Sequence, residues 1–180
     1  MSEGKLRTAV LGLNDGGRLL LEAAGRVELL YIHAVADKDT NLAEEVAARH
    51  GCEAYDDYRQ LIIQNQLDCL LVAAPLHSCE EYVRTAMKKK FNVLKLAPAA
   101  RHFEEAAEFV RLGEEEGIQF AVANPSRFAG SYSQLRNVLN GDGIEQIFLM
   151  DAFCSVGDGE PGGWKTDPKL AGGGVLLQDC

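Results

Sequence analysis

The stretch Arg7-Thr8-Ala9-Val10-Leu11-Gly12-Leu13-Asn14-Asp15-Gly16-Gly17-Arg18-Leu19-Leu20 decides the fold. Its first five residues are mostly apolar and read as a short strand. Residues 12–17 read as a tight turn, and residues 18–24 as a helix stopped by Gly25, because glycine readily takes the conformation that closes a helix. Strand, glycine turn and helix make the first half of a βαβ unit. Such a turn offers an anion free N–H groups and the positive end of a helix dipole. The dinucleotide fingerprint is G-x-G-x-x-G. Gly12 and Gly17 fill its first and third places, and Asn14 holds the second. Asparagine tolerates left-handed backbone, so the turn survives. Its side chain nevertheless stands where a phosphate would approach, and Asp15 adds negative charge. An Asn14 amide or Asp15 carboxylate lying across the helix tip would leave a nucleotide no berth. The plainer alternative is a βα turn that needs glycine for geometry alone.

A chain of 180 residues can bury one good core with some chain to spare. Hydrophobic residues make up 47% and charged residues 25%, which fits a globular domain. The net charge of −9, with no basic stripe, argues against nucleic acid or an anionic membrane surface as partner. No apolar run approaches the roughly 20 residues that span a bilayer. The N-terminus has no apolar signal segment, which predicts a cytoplasmic protein. The five cysteines (Cys52, Cys69, Cys79, Cys154, Cys180) include no C-x-x-C pair and predict reduced thiols. The histidines His33, His50, His77 and His102 lack ligand spacing, so no metal site is expected.

Residues 27–36 form a continuous apolar run and predict a strand covered on both faces, as in a parallel sheet. The run ends at Asp37, where dinucleotide-binding folds place a carboxylate for the adenosine ribose. An acid there repels a 2′-phosphate and favours NAD over NADP, while the following Lys38 weakens that preference. Asp37 as the cap of the next helix is the alternative. A helix over 41–50 closed by Gly51, a short strand at 53–54, a helix entered from Tyr55-Asp56-Asp57-Tyr58 and a strand over 68–74 follow. Tyr58, Leu61 and Ile62 form the apolar side of that helix. Pro75 ends the strand. Leu76, His77, Ser78 and Cys79 then lie at its carboxyl end, where α/β sheets bind ligands. His77 is either ribose-facing or simply the start of the helix predicted over 78–89. Lys88, Lys89 and Lys90 read as the solvated end of that helix. A strand over 92–96, a helix over 103–116 closed by Gly117 and a strand over 119–123 complete an alternating pattern. That pattern predicts an α/β doubly wound parallel sheet. The texture changes after Pro125. A helix over 132–139, an alternating strand over 145–154 and glycine-rich loops predict the beginning of an α+β second domain, with domains 1–124 and 125–180.

Several separate places resemble one family. They are the turn Gly12–Gly17, Ala36-Asp37, Tyr55-Asp56-Asp57-Tyr58, Ala74-Pro75-x-His77, Arg127-Phe128, Trp164-x-x-Asp167-Pro168 and Ala171-Gly172-Gly173-Gly174. In this order they are similar to the N-terminal part of the Gfo/Idh/MocA oxidoreductases, the glucose–fructose oxidoreductase and inositol dehydrogenase relatives. The resemblance implies a Rossmann domain binding NAD, with NADP admitted, and a sheet domain that binds a small sugar or polyol. It implies cofactor contacts at Gly12, Leu13, Asn14, Gly16, Gly17, Asp37, Lys38, Ala74, Pro75 and His77. In that family a Glu-Lys-Pro lysine and a histidine after the triple glycine serve the chemistry. Here Leu96-Ala97-Pro98 stands at the first place, and the histidine would lie just beyond Cys180. No catalytic residue is therefore assigned, and a truncated or catalytically impaired member is expected. The alternative is a non-catalytic nucleotide-binding or scaffold module. Cys79 departs from a frequent family histidine. Lys95 reads as a solvated or pyrophosphate-facing charge; because on an extended strand it shares a side with Ala97, a substitute catalytic lysine is the alternative. The unpaired edges of a strand at 145–154 predict either a homo-oligomer or disorder after about Asn124.

Overall fold

Leu6–Leu11 is the first strand, β1, and it lies inside the sheet because apolar side chains leave it on both faces. Ala9 and Leu11 enter one core cluster and Val10 the other. Successive strand residues point to opposite faces, so one short apolar run serves two helical layers. The computed structural model describes residues 4–141, 146–153, 163–174 and 177. After β1 come α1 (Asp15–Gly25), β2 (Leu30–Ala36), α2 (Thr40–His50), β3 (Glu53–Tyr55), α3 (Tyr58–Gln64) and β4 (Cys69–Val72). Then follow α4 (Leu76–Lys88), β5 (Asn92–Leu96), α5 (Phe103–Glu116) and β6 (Phe120–Ala123). Every strand pairs in parallel, in the order β3-β2-β1-β4-β5-β6. This is the doubly wound Rossmann arrangement. The chain reverses its progress across the sheet between β1 and β4, and a crevice opens there at the carboxyl edge.

The helices end as their residues require. Asp39 and Asp57 cap α2 and α3 by accepting hydrogen bonds from backbone N–H groups two and three residues on. Gly51 and Gly117 close α2 and α5 in the left-handed conformation. One face of the sheet is filled by Tyr58, Leu61, Ile62, Val83, Met87 and Phe109, the other by Leu20, Leu21, Val46 and Leu71. Cys52, Cys69 and Cys79 are free thiols, and burial pushes Cys52 and Cys69 up to about 11.

Several boundaries depart from the sequence reading. α1 starts at Asp15, so Gly16 and Gly17 are helical rather than part of the turn, and Gly25 is the last helical residue. β2 begins only at Leu30, and Val27, Leu29 and Tyr31 are exposed. The amino end of this strand therefore extends past the covering helices, and only Ala34-Val35-Ala36 is fully covered. α4 starts at Leu76, which places His77 and Ser78 in its first turn. The lysine run is not simply solvated. Lys89 donates to the carbonyls of Ile62, Ile63 and Asn65 at 2.8, 3.0 and 3.0 Å, which caps the carboxyl end of α3.

Regular structure continues past Asn124, through a 3-10 turn at Pro125–Phe128 and α6 (Gly130–Asn140). No side chain of α6 is buried. The strand expected over 145–154 is not found. Residues 146–153 are irregular and exposed, with Glu145 and Cys154 outside the described residues. Alternating side chains give a strand only where a partner satisfies its backbone, and no described segment pairs with this one. Of the glycine-rich loop expected over 157–163, residues 157–162 lie outside the described residues. Gly163–Thr166 forms a second 3-10 turn, and α7 (Pro168–Ala171) follows, capped by Asp167. No helix among the described residues is long and apolar enough to cross a membrane.

Phe109 is fully buried and meets the Phe120 ring at 5.4 Å, whereas the adjacent Val110 is 54% exposed. In urea denaturation, Phe109→Ala is expected to lower the unfolding free energy by about 3–5 kcal/mol. Val110→Ala should change it by no more than about 0.5 kcal/mol.

Candidate functional site

The site is built where β1 ends. Gly12 has φ +88°, and a Cβ there would lie 2.6 Å from the Ala74 nitrogen. A Cβ on Gly17 would collide with the Gly12 carbonyl oxygen. Both glycines are therefore required, by close packing of the turn against the loop after β4 and of α1 against the turn. The result is that the N-terminus of α1 opens onto the crevice between β1 and β4.

Asn14 is the N-cap of α1. Its Oδ1 accepts the Gly17 N–H at 3.0 Å, and its Nδ2 donates to the Ala73 carbonyl at 2.9 Å. The amide thus takes one of the helix tip's three unpaired donors. The N–H groups of Asp15 and Gly16 have no acceptor among the described residues. The Asp15 side chain is exposed and accepts none of the tip's hydrogen bonds. Leu96 packs directly on Gly16, where any Cβ would strike its Cδ2 methyl. The tip is therefore partly covered but still offers two donors.

Two cavities flank this tip and share Asn14 and Pro75. The smaller, about 220 Å³, is lined by Gly12, Asp37, Lys38, Tyr58, His77 and Ser78 as well. The larger, about 400 Å³, adds Asp15, Gly16, Ala73, Ala74, Leu76, Lys95, Leu96, Ala97, Pro98 and Trp164. Together they form a groove across the carboxyl edge of the sheet, where α/β folds hold extended ligands. Of the ten predicted cofactor residues, eight line this groove. Leu13 and Gly17 do not. Leu13 is buried in the core with its N–H toward Asp37, and Gly17 is packed against the turn.

Asp37 is not the cap of α2, a role that Asp39 fills. Its Oδ2 accepts the Leu13 N–H at 2.7 Å and its Oδ1 the Asp39 N–H at 3.0 Å. Two backbone donors thereby fix the carboxylate at the end of the smaller cavity. His77 presents a buried Nδ1 with no hydrogen-bond partner among the described residues. Burial lowers its pKa, helped by the nearby charges of Lys38 and Arg101, so the ring is held neutral. An orphaned nitrogen in a ligand-sized cleft fits an incoming hydroxyl. The free tip donors, the fixed Asp37 carboxylate and this nitrogen are a donor and acceptor set that suits a nicotinamide dinucleotide.

The sequence reading missed two features. In the sequence Trp164 stands only as part of a motif, yet its ring lies 5.3 Å from that of His77 and walls the larger cavity. Gly172 holds this segment in place, since a Cβ there would lie 2.7 Å from the Arg101 Cα, and its φ is +75°. Arg101 in turn is anchored by Glu105 and Glu80, and Glu80 with Glu108 binds Arg84, a chain of ion pairs joining α4 to α5. Lys95 is the second feature. It is not solvated but 2% exposed, with Nζ donating to the Pro98 carbonyl at 2.6 Å.

The family model described as "Oxidoreductase family, NAD-binding Rossmann fold" matches residues 6–124. The dTDP-3,4-didehydro-2,6-dideoxy-alpha-D-glucose 3-reductase of Streptomyces antibioticus is 24% identical over 98% of this chain and 54% of its own. The scyllo-inositol 2-dehydrogenase (NADP(+)) IolU of Bacillus subtilis is 24% identical over 83% of this chain and 45% of its own. An NAD binding oxidoreductase from Klebsiella pneumoniae superposes with TM-score 0.73 at 20% identity, covering 96% of this chain and 49% of that one. The chain thus spans about half the length of the relatives it matches. On the family match, the chain belongs to the Gfo/Idh/MocA family of NAD-binding Rossmann oxidoreductases.

Proposed function

We propose that this chain binds NAD along the groove and forms the cofactor half of an oxidoreductase acting on a sugar or polyol. The observation that carries this reading is the pair of cavities meeting at the free Asp15 and Gly16 N–H groups. Those donors would hold the pyrophosphate, Asp37 the adenosine ribose, and His77 a hydroxyl of the nicotinamide side. When bound, the nicotinamide supplies a carbon that accepts or gives hydride. A sugar or polyol is proposed from the sugar reductase and inositol dehydrogenase relatives. A boundary near Asn124 is supported by the end of β6 at Ala123 and the end of the family match at 124.

Ala97 lies in the larger cavity and has no proton to give, so we expect impaired turnover, slower by roughly 10²–10⁴ than with a positioned acid. A second reading, a non-catalytic binding module, is favoured by one observation: the Asn14 amide and Leu96 methyls crowd the tip. Measurable oxidation of any polyol by this chain would decide against it. Homo-oligomerisation is supported by Phe148 and Phe153, each 95% exposed. A monomeric sedimentation profile would contradict it.

Calorimetric titration is expected to give saturable NADH binding that is tighter than NADPH binding, because Asp37 faces a 2′-phosphate with like charge. Asp37→Ala should narrow that preference by about tenfold, or ~1.4 kcal/mol. No heat at millimolar NADH would overturn the reading. Asn14→Gly returns the Gly17 N–H to the groove. It is expected to tighten NADH by about tenfold, the worth of one charge-assisted hydrogen bond of ~1.5 kcal/mol. An unchanged affinity would show that the cap does not compete with the phosphate.

A further inference from the structure

Lys95 is a buried cation that the proposed cofactor contacts do not use. It sits on β5, is 2% exposed, and lines the 400 Å³ cavity with Ala97, Pro98 and Trp164. Its ammonium has three donors. One makes a strong bond to the Pro98 carbonyl at 2.6 Å, and a second reaches the Leu96 carbonyl only at 3.5 Å. No carboxylate among the described residues lies within ion-pair distance of it. A buried charge in this condition carries a large desolvation cost, which an anionic partner would offset.

The acids nearby do not supply that partner. Glu105 on α5 is buried but holds the Arg101 backbone N–H at 3.0 Å and its Nε at 3.4 Å. Cys79 on α4 is buried, and desolvation raises its thiol, so it stays neutral. Asp15 reaches the same cavity but is exposed at the rim, where solvent screens it. Inside the cavity the other walls are uncharged: Asn14, Gly16, the apolar loop residues and Trp164. Glu105 attracts the ammonium from a distance, but no anion touches its third donor.

Resting on the reading of this chain as part of a sugar or polyol oxidoreductase, we propose that Lys95 is a recognition residue for a carboxylate, and that a sugar acid lies beside the cofactor at the end of the larger cavity lined by Lys95, Ala97, Pro98 and Trp164. The carboxylate oxygen takes the unspent ammonium N–H in a charge-assisted hydrogen bond, and the sugar ring or chain lies along the Trp164 face. Burial also lowers the Lys95 pKa, against the attraction of Glu105. Recognition that needs the ammonium must then fade as pH rises, earlier than the ordinary lysine value of 10.5.

Trp164 is the only tryptophan in the chain, so its fluorescence reports on this cavity without any cofactor. The test titrates the protein with D-gluconate and with D-glucitol, the same carbon chain with a neutral end. A saturable change is expected with gluconate, at least about tenfold tighter than with glucitol. Lys95→Met should erase the difference and still fold, since the desolvation cost it relieves offsets the hydrogen bond it loses to the Pro98 carbonyl. A cooperative thermal unfolding transition followed by circular dichroism serves as the check of the variant's folding. Lys95→Arg should retain part of the preference. Gluconate binding should weaken with rising pH below 10.5 while glucitol binding stays flat. Equal affinities in the native chain, no gluconate response, or a gluconate preference that survives Lys95→Met would each overturn the assignment. NADH binding without gluconate binding removes this inference alone, whereas absence of NADH binding removes the oxidoreductase reading itself.

Discussion

The close approach of two backbone segments at Gly12 is the constraint on which this structure depends. The first strand and the loop after the fourth meet there with no room for a side-chain carbon, only 2.6 Å separating a built Cβ from the Ala74 nitrogen. That contact, repeated one turn later by Gly17 against the Gly12 carbonyl, docks α1 with its N-terminus at the sheet's switch point. The Asp37 carboxylate, the Pro75 turn and the tip N–H groups converge because this contact brings them together. A larger side chain at either glycine would separate the helix from the crevice before it changed any ligand contact.

Once docked, the tip is used in an unusual way. A bare glycine turn leaves its helix donors to a ligand. Here the chain spends one on the Asn14 amide and lays Leu96 across Gly16. The cap stabilises α1 and ties it to the Ala73 carbonyl, at the cost of part of the electrostatic pull that holds a phosphate. At the other end of the groove the balance is reversed: Ala97 is inert while Lys95, two residues earlier, is buried with an unspent donor. The fold of the family is kept.

Local rules made much of this legible. The strands could be read because their apolar runs are short and punctuated, and α2 and α5 ended where Gly51 and Gly117 allow a left-handed residue. Asp37 could be placed because β2 is continuous up to it. Other features depended on contacts between distant residues. Lys95 looks like any strand lysine until the 96–98 loop folds over it, and no local pattern marks that burial. Trp164 reaches His77 only because Gly172 allows its segment to sit on Arg101, some seventy residues earlier in the chain. Residues 146–153 alternate like a strand, but alternation describes faces and does not provide a hydrogen-bonding partner.

The central claim is that the crevice between β1 and β4 holds a dinucleotide against the two free N–H groups of the α1 tip. A crystal structure of this chain grown with NADH tests it most directly. Pyrophosphate density is expected within hydrogen-bond distance of the Asp15 and Gly16 nitrogens, with the adenosine ribose on Asp37 and Leu96 turned away from Gly16. Leu96 still seated on Gly16, with the nucleotide absent or bound elsewhere, would contradict it.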